Sequence, residues 1–161
     1  MSSGQRNHRF TWGMRVLNCP PDYYGGFDKE DLEELIGLID KNYIGWANYL
    51  APLVMGTENS VEFVNELRDS FCSTDPKTAK AFAKATFFSD LRDKLQTVQH
   101  PTLILQSSDD ALAATYIGSY LHSEIAKSSL KIVKAKGHCL HMTHPNDVAV
   151  AIKDFISATV E

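Results

Sequence analysis

The sequence predicts an α/β chain in two parts, an all-helical block followed by a strand–helix–strand–helix ending. Three observations carry this. Apolar residues recur at helical spacing through residues 28–88, with no strand-like run between them. "TLILQ" (Thr102–Gln106) is then an apolar run without alternation, entered through Pro101. That is the habit of a strand buried on both faces in a parallel sheet. A second strand-like run, "LKIV" (Leu130–Val133), follows a segment of helical period.

Residues 1–18 keep no clear period, and "PPDYYGGF" (Pro20–Phe27) is a turn cluster. In "DKEDLEELIGLIDKNY", Asp28 is the expected N-cap and acids crowd the first turn, as the helix dipole favours. Leu32, Leu35, Ile36, Ile39 and Tyr43 share one face. "IGWANYLAPLVMG" reads as a short second helix, broken near Pro52 and ended at Gly56. "NSVEFVNELRDSF" gives a third, with Val61, Val64, Leu67 and Phe71 on one face. In "TDPKTAKAFAKATFF", Asp75 caps, Pro76 takes the first helical position, and Ala79, Phe82, Ala83 and Phe87 follow on one side. "ATYIGSYLHSEI" is the helix between the strands, with Tyr116, Ile117, Tyr120 and Leu121 inward. "HPNDVAVAIKDFI" closes the chain from near Pro145, burying Val148, Ala151, Ile152 and Phe155.

The length of 161 residues fits one ordinary domain, and 43% hydrophobic with 22% charged residues is globular composition. Net charge is -4, and the basic residues never form a run, so nothing points to nucleic acid or an anionic membrane. The first residues hold no apolar signal segment, and no stretch approaches the roughly 20 apolar residues that span a bilayer. The three cysteines Cys19, Cys72 and Cys139 lie far apart without a C-x-x-C, which fits reduced thiols in a cytoplasmic protein. No cofactor is expected. "KGHCLHMTHP" places His138, His141 and His144 at H-x-x-H-x-x-H. That spacing could set three imidazoles on one side of a helix as metal ligands. Gly137 and Pro145 punctuate helices and weigh against it.

The words "PPDYYGGF", "NYIGWA", "FCSTDP", "FFSDLR", "LILQSSDD" and "GHCLHMTHP" resemble the α/β-hydrolases of the RsbQ type. That family includes the plant karrikin and strigolactone receptors. The match runs from about Arg15 to the carboxy-terminus. The resemblance implies a partial α/β-hydrolase fold: a leader at 1–18 without a match, a helical cap over 19–95, and the carboxy-terminal part of the core over 96–161. The earlier sheet strands and the oxyanion-hole loop have no counterpart. No G-x-S-x-G nucleophile elbow occurs in the sequence. A truncated gene, a shifted frame or a misplaced start would each give this pattern.

In such enzymes Ser, Asp and His come in that order. The resemblance puts the acid at Asp110, four residues after Gln106, and the base at His138, after Gly137. Two adjacent aspartates cannot be separated by local pattern; the resemblance favours Asp110 over Asp109. With His138 as base, His141 and His144 become structural neighbours of the last helix. The resemblance also places Phe27, Leu35, Trp46, Leu50, Ala83 and Phe87 on a pocket wall, with Leu112 beside the acid. Such a wall suits a small, mostly apolar ligand with an ester or lactone carbonyl. Cap-helix core is the plainer role for each of them. A cap-based interaction module with a signalling-protein partner is the alternative function.

Overall fold

Helices fill the first half of the chain, as the periodicity requires. The computed structural model describes residues 15–160, so residues 1–14 of the expected leader lie outside the described residues. Helix α1 spans Lys29–Lys41, α2 Tyr43–Met55, α3 Val61–Ser73 and α4 Pro76–Phe87. A 3-10 turn at Arg92–Thr97 leads to strand β1, Thr102–Asp109. Helix α5 (Thr115–Glu124) crosses over to strand β2 (Ser128–Lys136). The short α6 (Leu140–Thr143) and the long α7 (Pro145–Val160) close the chain.

The cap helices obey their start signals with one exception. Ser60 accepts from the Glu62 N–H, and Asp75 from the Thr78 N–H with Pro76 in the first turn. Asp28 sits at the N-cap position of α1 but makes no capping bond, because its carboxylate accepts from Asn18 Nδ2 at 2.9 Å. Helix α2 is not broken at Pro52; it runs on to Met55. The carbonyl that loses its donor belongs to Asn48, on the exposed side of the helix, where water can replace it. Gly56, at φ 79°, ends it as expected.

The cap core gathers Ile36 and Ile39 of α1, Trp46, Leu50 and Val54 of α2, and Ala83 of α4. Two expected core residues face out. Phe82 is 67% exposed and Val61 is also exposed. On α4 the inward arc is set by Ala79 and Ala83, whose small side chains let the helix approach α1, and Phe82 lies to one side of that arc. Val61 lies outside the arc of Phe63, Val64, Leu67 and Phe71, which pack on the core.

Strands β1 and β2 pair in parallel, from Thr102 opposite Ser128 to Ser107 opposite Val133. Both are longer than the apolar runs that announced them. The register then slips, so that Asp109 faces Lys136. β1 buries Ile104, Gln106 and Ser107 rather than both whole faces, and Ile132 of β2 is exposed. Helix α5 buries Ile117, while Tyr116 lies on its exposed flank; Ile152 of α7 is likewise exposed. Tyr116 still has a task. With Tyr120 it meets the ring of the buried Tyr23 edge-on, at centroid distances of 6.0 and 5.1 Å. Arg92 lies over that ring at 4.9 Å and grips Asp90 through two bonds of 2.9 Å. The turn cluster at Pro20–Phe27 is thereby pinned to α5.

Cap and sheet are joined where α2 and β2 end. Gly137 has φ 88°, and a Cβ there would fall 2.0 Å from the Met55 carbonyl oxygen. A Cβ on Gly56 would stand 2.9 Å from the Gly137 nitrogen. Gly137→Ala is expected to cost several kcal/mol, on the order of 3, or to abolish folding, by urea unfolding. Gly37, inside α1 with open space around it, is the control: Gly37→Ala should be neutral or stabilising by up to about 1 kcal/mol.

Candidate active site

The end of β1 is shaped by two serines. At the register slip, Ser107 and Ser108 both donate their hydroxyls to the Ala135 carbonyl, at 2.7 and 3.0 Å. Ser108 Oγ also accepts from the Ala135 N–H at 3.1 Å. An irregularity of this kind re-aims the residues that follow it. Asp109 turns outward, 65% exposed and 3.7 Å from the Lys136 ammonium. Asp110 turns inward, with its side chain 4% exposed.

Asp110 is held at both oxygens. Oδ1 accepts from the backbone N–H groups of Leu112 and Ala113 at 2.8 and 3.0 Å. Oδ2 meets His138 Nδ1 at 2.7 Å. Gln106 steadies the same loop by donating to the Ala113 carbonyl at 2.8 Å, against Gly118, which leaves no room for a Cβ. The carboxylate is therefore oriented before it meets the imidazole.

His138 is fixed from the other side. Its backbone N–H donates to the Val54 carbonyl at 2.7 Å, and the Gly137 N–H to the Asp109 carbonyl at 2.8 Å. The first bond satisfies a carbonyl of the last turn of α2, which has no partner within its own helix. Asn59 bridges the same junction, donating to the carbonyls of Met55 and Lys136 at 2.6 and 2.8 Å. The histidine follows a strand of the core, but its backbone is tied to the cap.

The other histidines do not join it. His144 Nδ1 lies 2.9 Å from Thr143 Oγ1, and His141 is exposed. Among the described residues no three His, Cys, Asp or Glu side chains gather as a metal would require. Gly137 and Pro145 place His138 before α6 and His144 after it, so no single helix carries the three imidazoles.

The residues expected on a pocket wall are packed. Trp46, Leu50 and Ala83 belong to the buried cap core, with Leu35, Phe87 and Leu112 partly buried against it. Trp46 stacks on Tyr43 at 5.5 Å and leans on Phe71 at 5.1 Å. Its indole N–H is buried and has no hydrogen-bond partner among the described residues. Phe27 is half-buried in the segment before α1, its backbone bonded to Val16 and Asn18. Leu112 and Cys139 carry this core to the Asp110–His138 pair. Ser107, Ser108, Gln106, Val54 and Asn59 were not singled out by sequence reasoning. The "QSS" before the aspartates was a signal for the first three; nothing in the sequence marked Val54 or Asn59.

Carboxylate and imidazole thus meet at the ends of two adjacent parallel strands, beside the helices of the first half. The comparisons with known proteins give the family. No protein-family profile matches the chain. It is 33% identical over 135 residues to a probable esterase of Oryza sativa subsp. japonica, covering 83% of this chain and 49% of that protein. To the karrikin insensitive 2 receptor IA of Petunia hybrida it is 34% identical over 132 residues, covering 81% and 48%. A hydrolase from Oleispira antarctica, known as a solved structure, superposes with a TM-score of 0.85 at 53% identity, covering 89% of this chain and 53% of that one. The chain belongs to the α/β-hydrolases of the karrikin- and strigolactone-receptor-like group, over the cap and the last two strands. It spans about half the length of the relatives it matches.

Cys139, next to His138, is the nearest thiol to the pair in sequence, and it is unsuited to be a nucleophile. Burial pushes its thiol up to about 11, and the charge of Asp110 pushes the same way. Iodoacetamide at neutral pH should label the exposed Cys72 well before Cys139. Because the folded-state value is raised above the ordinary 9.0, this thiol's contribution to stability is whole below pH 9. It is lost as pH rises through about 11. Cys139→Ala should flatten that alkaline loss, by at most roughly 2–3 kcal/mol, in urea unfolding followed against pH.

Proposed function

We propose that the chain supplies the cap and the acid–base pair of a serine-type ester or lactone hydrolase that senses a small apolar molecule. One observation carries this: Asp110 Oδ2 at 2.7 Å from His138 Nδ1, with the other oxygen held by two backbone N–H groups. That contact directs the Nδ1–H of a neutral imidazole at the carboxylate. Nε2 is then the atom that would take a proton from a nucleophile and return it to the leaving group. The buried charge of Asp110 would stabilise the imidazolium formed in between. The esterase and receptor names of the relatives support the substrate class. In this reading residues 19–95 are the cap and residues 96–161 the core part. Phe27, Leu35, Trp46, Leu50, Ala83, Phe87 and Leu112 face the ligand once the cap and a sheet enclose it.

The nucleophile is not among these residues, since the sequence has no G-x-S-x-G. By itself the chain should therefore hydrolyse p-nitrophenyl acetate no faster than free imidazole at equal concentration. Saturable turnover lost in His138→Ala would overturn that. Supplied in trans with an α/β-hydrolase half that carries G-x-S-x-G, it should regain esterase activity. Asp110→Asn should then lower kcat by roughly 10²–10⁴-fold, as misorienting a triad histidine does, and Asp109→Asn by little. Equal losses would remove Asp110 from the role.

A cap-borne interaction surface for a signalling protein is the second reading. It is favoured by the exposed Ile44, Tyr49 and Phe82 on the cap helices. No helix among the described residues is long and apolar enough to cross a membrane, and a cytoplasmic setting belongs to the same proposal.

A further inference from the structure

His138 reaches Asp110 from beside a glycine, and glycine has more backbone freedom than any other residue. Gly137 joins two rigid peptide planes. The plane it shares with His138 is held by α2, because the His138 N–H donates to the Val54 carbonyl at 2.7 Å. The plane it shares with Lys136 is held at both ends. Its N–H, on Gly137, donates to the Asp109 carbonyl at 2.8 Å. Its carbonyl, on Lys136, accepts from Asn59 Nδ2 at 2.8 Å. With both planes fixed, the two dihedrals of Gly137 are fixed as well.

Asn59 is suited to this place. The same nitrogen donates to the Met55 carbonyl at 2.6 Å, at the end of α2. Both partners are acceptors, so only the NH2 end of the amide can face them, with one hydrogen for each. The backbone of Asn59 is itself placed. Its N–H donates to the Gly56 carbonyl at 3.2 Å, and the next residue, Ser60, caps α3. Glu58 also reaches Lys136, but through the exposed ammonium, with the two side chains 66% and 45% exposed. That ion pair holds the lysine side chain and leaves its peptide plane alone.

We propose that Asn59 is a positioning residue for the base: it fixes the Lys136–Gly137 peptide plane and, through it, the aim of His138 Nδ1 at Asp110. It acts through the backbone. The inference rests on the acid–base reading above and deepens it, by giving the base a side-chain support from the α2–α3 connection. Without Asn59 the Lys136–Gly137 plane is left on one bond, to Asp109, and can turn about it. The imidazole follows, and a hydrogen bond weakens steeply once it is misdirected.

The test is proton NMR of the full chain at about pH 8, where an ordinary histidine is neutral. The Nδ1–H of His138, hydrogen-bonded to a carboxylate, should give a resonance at low field that Asp110→Asn removes. In Asn59→Ala that proton should exchange with water about tenfold faster, the worth of one or two hydrogen bonds, or its resonance should vanish. Asn59→Asp has the same size and reach, replaces both donors by acceptors and should act alike; it keeps the test open if Asn59→Ala does not fold. Glu58→Gln removes only the exposed ion pair and should leave the resonance unchanged. Leu67→Ala is the control for stability. Leu67 packs on the cap core from α3, so its loss should lower the urea midpoint and leave the resonance where it was. A resonance of parental position and exchange rate in folded Asn59→Ala or Asn59→Asp would overturn the positioning role. So would equal disturbance by Leu67→Ala, which would reduce the effect to general loosening. A parent with no resonance sensitive to Asp110→Asn would remove the Asp110–His138 pairing itself, and the role of Asn59 with it.

Discussion

The close backbone crossing of Gly56 and Gly137 is the contact on which the arrangement depends. Two chain segments, the end of a cap helix and the end of a core strand, approach until no Cβ fits between them. Both residues have positive φ, so glycine is required twice over, for conformation and for space. Three hydrogen bonds then close the junction: His138 N–H to Val54, and Asn59 to Met55 and to Lys136. Each satisfies a backbone carbonyl, and two of these belong to the last turn of α2, whose carbonyls lack partners within the helix. The ion pair of Lys136 with Glu58 lies on the surface of the same junction and adds little by comparison.

The contact of Asp110 with His138 is thus a product of three separate supports. The serine-rich slip at the end of β1 aims Asp110; the Leu112 and Ala113 N–H groups hold its far oxygen; the end of α2 holds His138. Only the first two lie in the core. Burial of the carboxylate without these bonds would be costly, since an ionised group out of water must be paired and hydrogen-bonded. Here three contacts share the task, the imidazole and the two N–H groups, while Gln106 braces the loop that carries them.

The element types were legible because their signals are local. Asp75–Pro76 begins α4, Gly56 ends α2, and the apolar run after Pro101 is a strand. What could not be read depends on neighbours distant in sequence. Pro52 stays inside α2 because solvent on the Asn48 side tolerates the missing bond and the packing of Trp46 and Leu50 holds the helix together. Phe82 faces out because two alanines, not two phenylalanines, decide which side of α4 meets α1. Tyr23 looked like part of a turn; its burial comes from Arg15, Arg92, Tyr116 and Tyr120, none of them adjacent. Asp110 and His138 were reached through the family resemblance, since an aspartate after a strand is ordinary by itself. The structure adds that they meet, and that Asp109 is turned away.

Helix α2 is a mechanical link as well as a cap element. At its start Tyr43 and Trp46 stack beside Phe71, and Leu50 follows in the cap core. At its end it holds the backbone of His138 through Val54 and meets Gly137 without a side chain between them. A helix transmits axial displacement with little loss because its own hydrogen bonds must break before it compresses. Movement of α2 along its axis must therefore carry His138 with it or break the bond to Val54. Trp46 and Leu50 of the cap core and the carbonyl that holds the backbone of His138 thus belong to one helix.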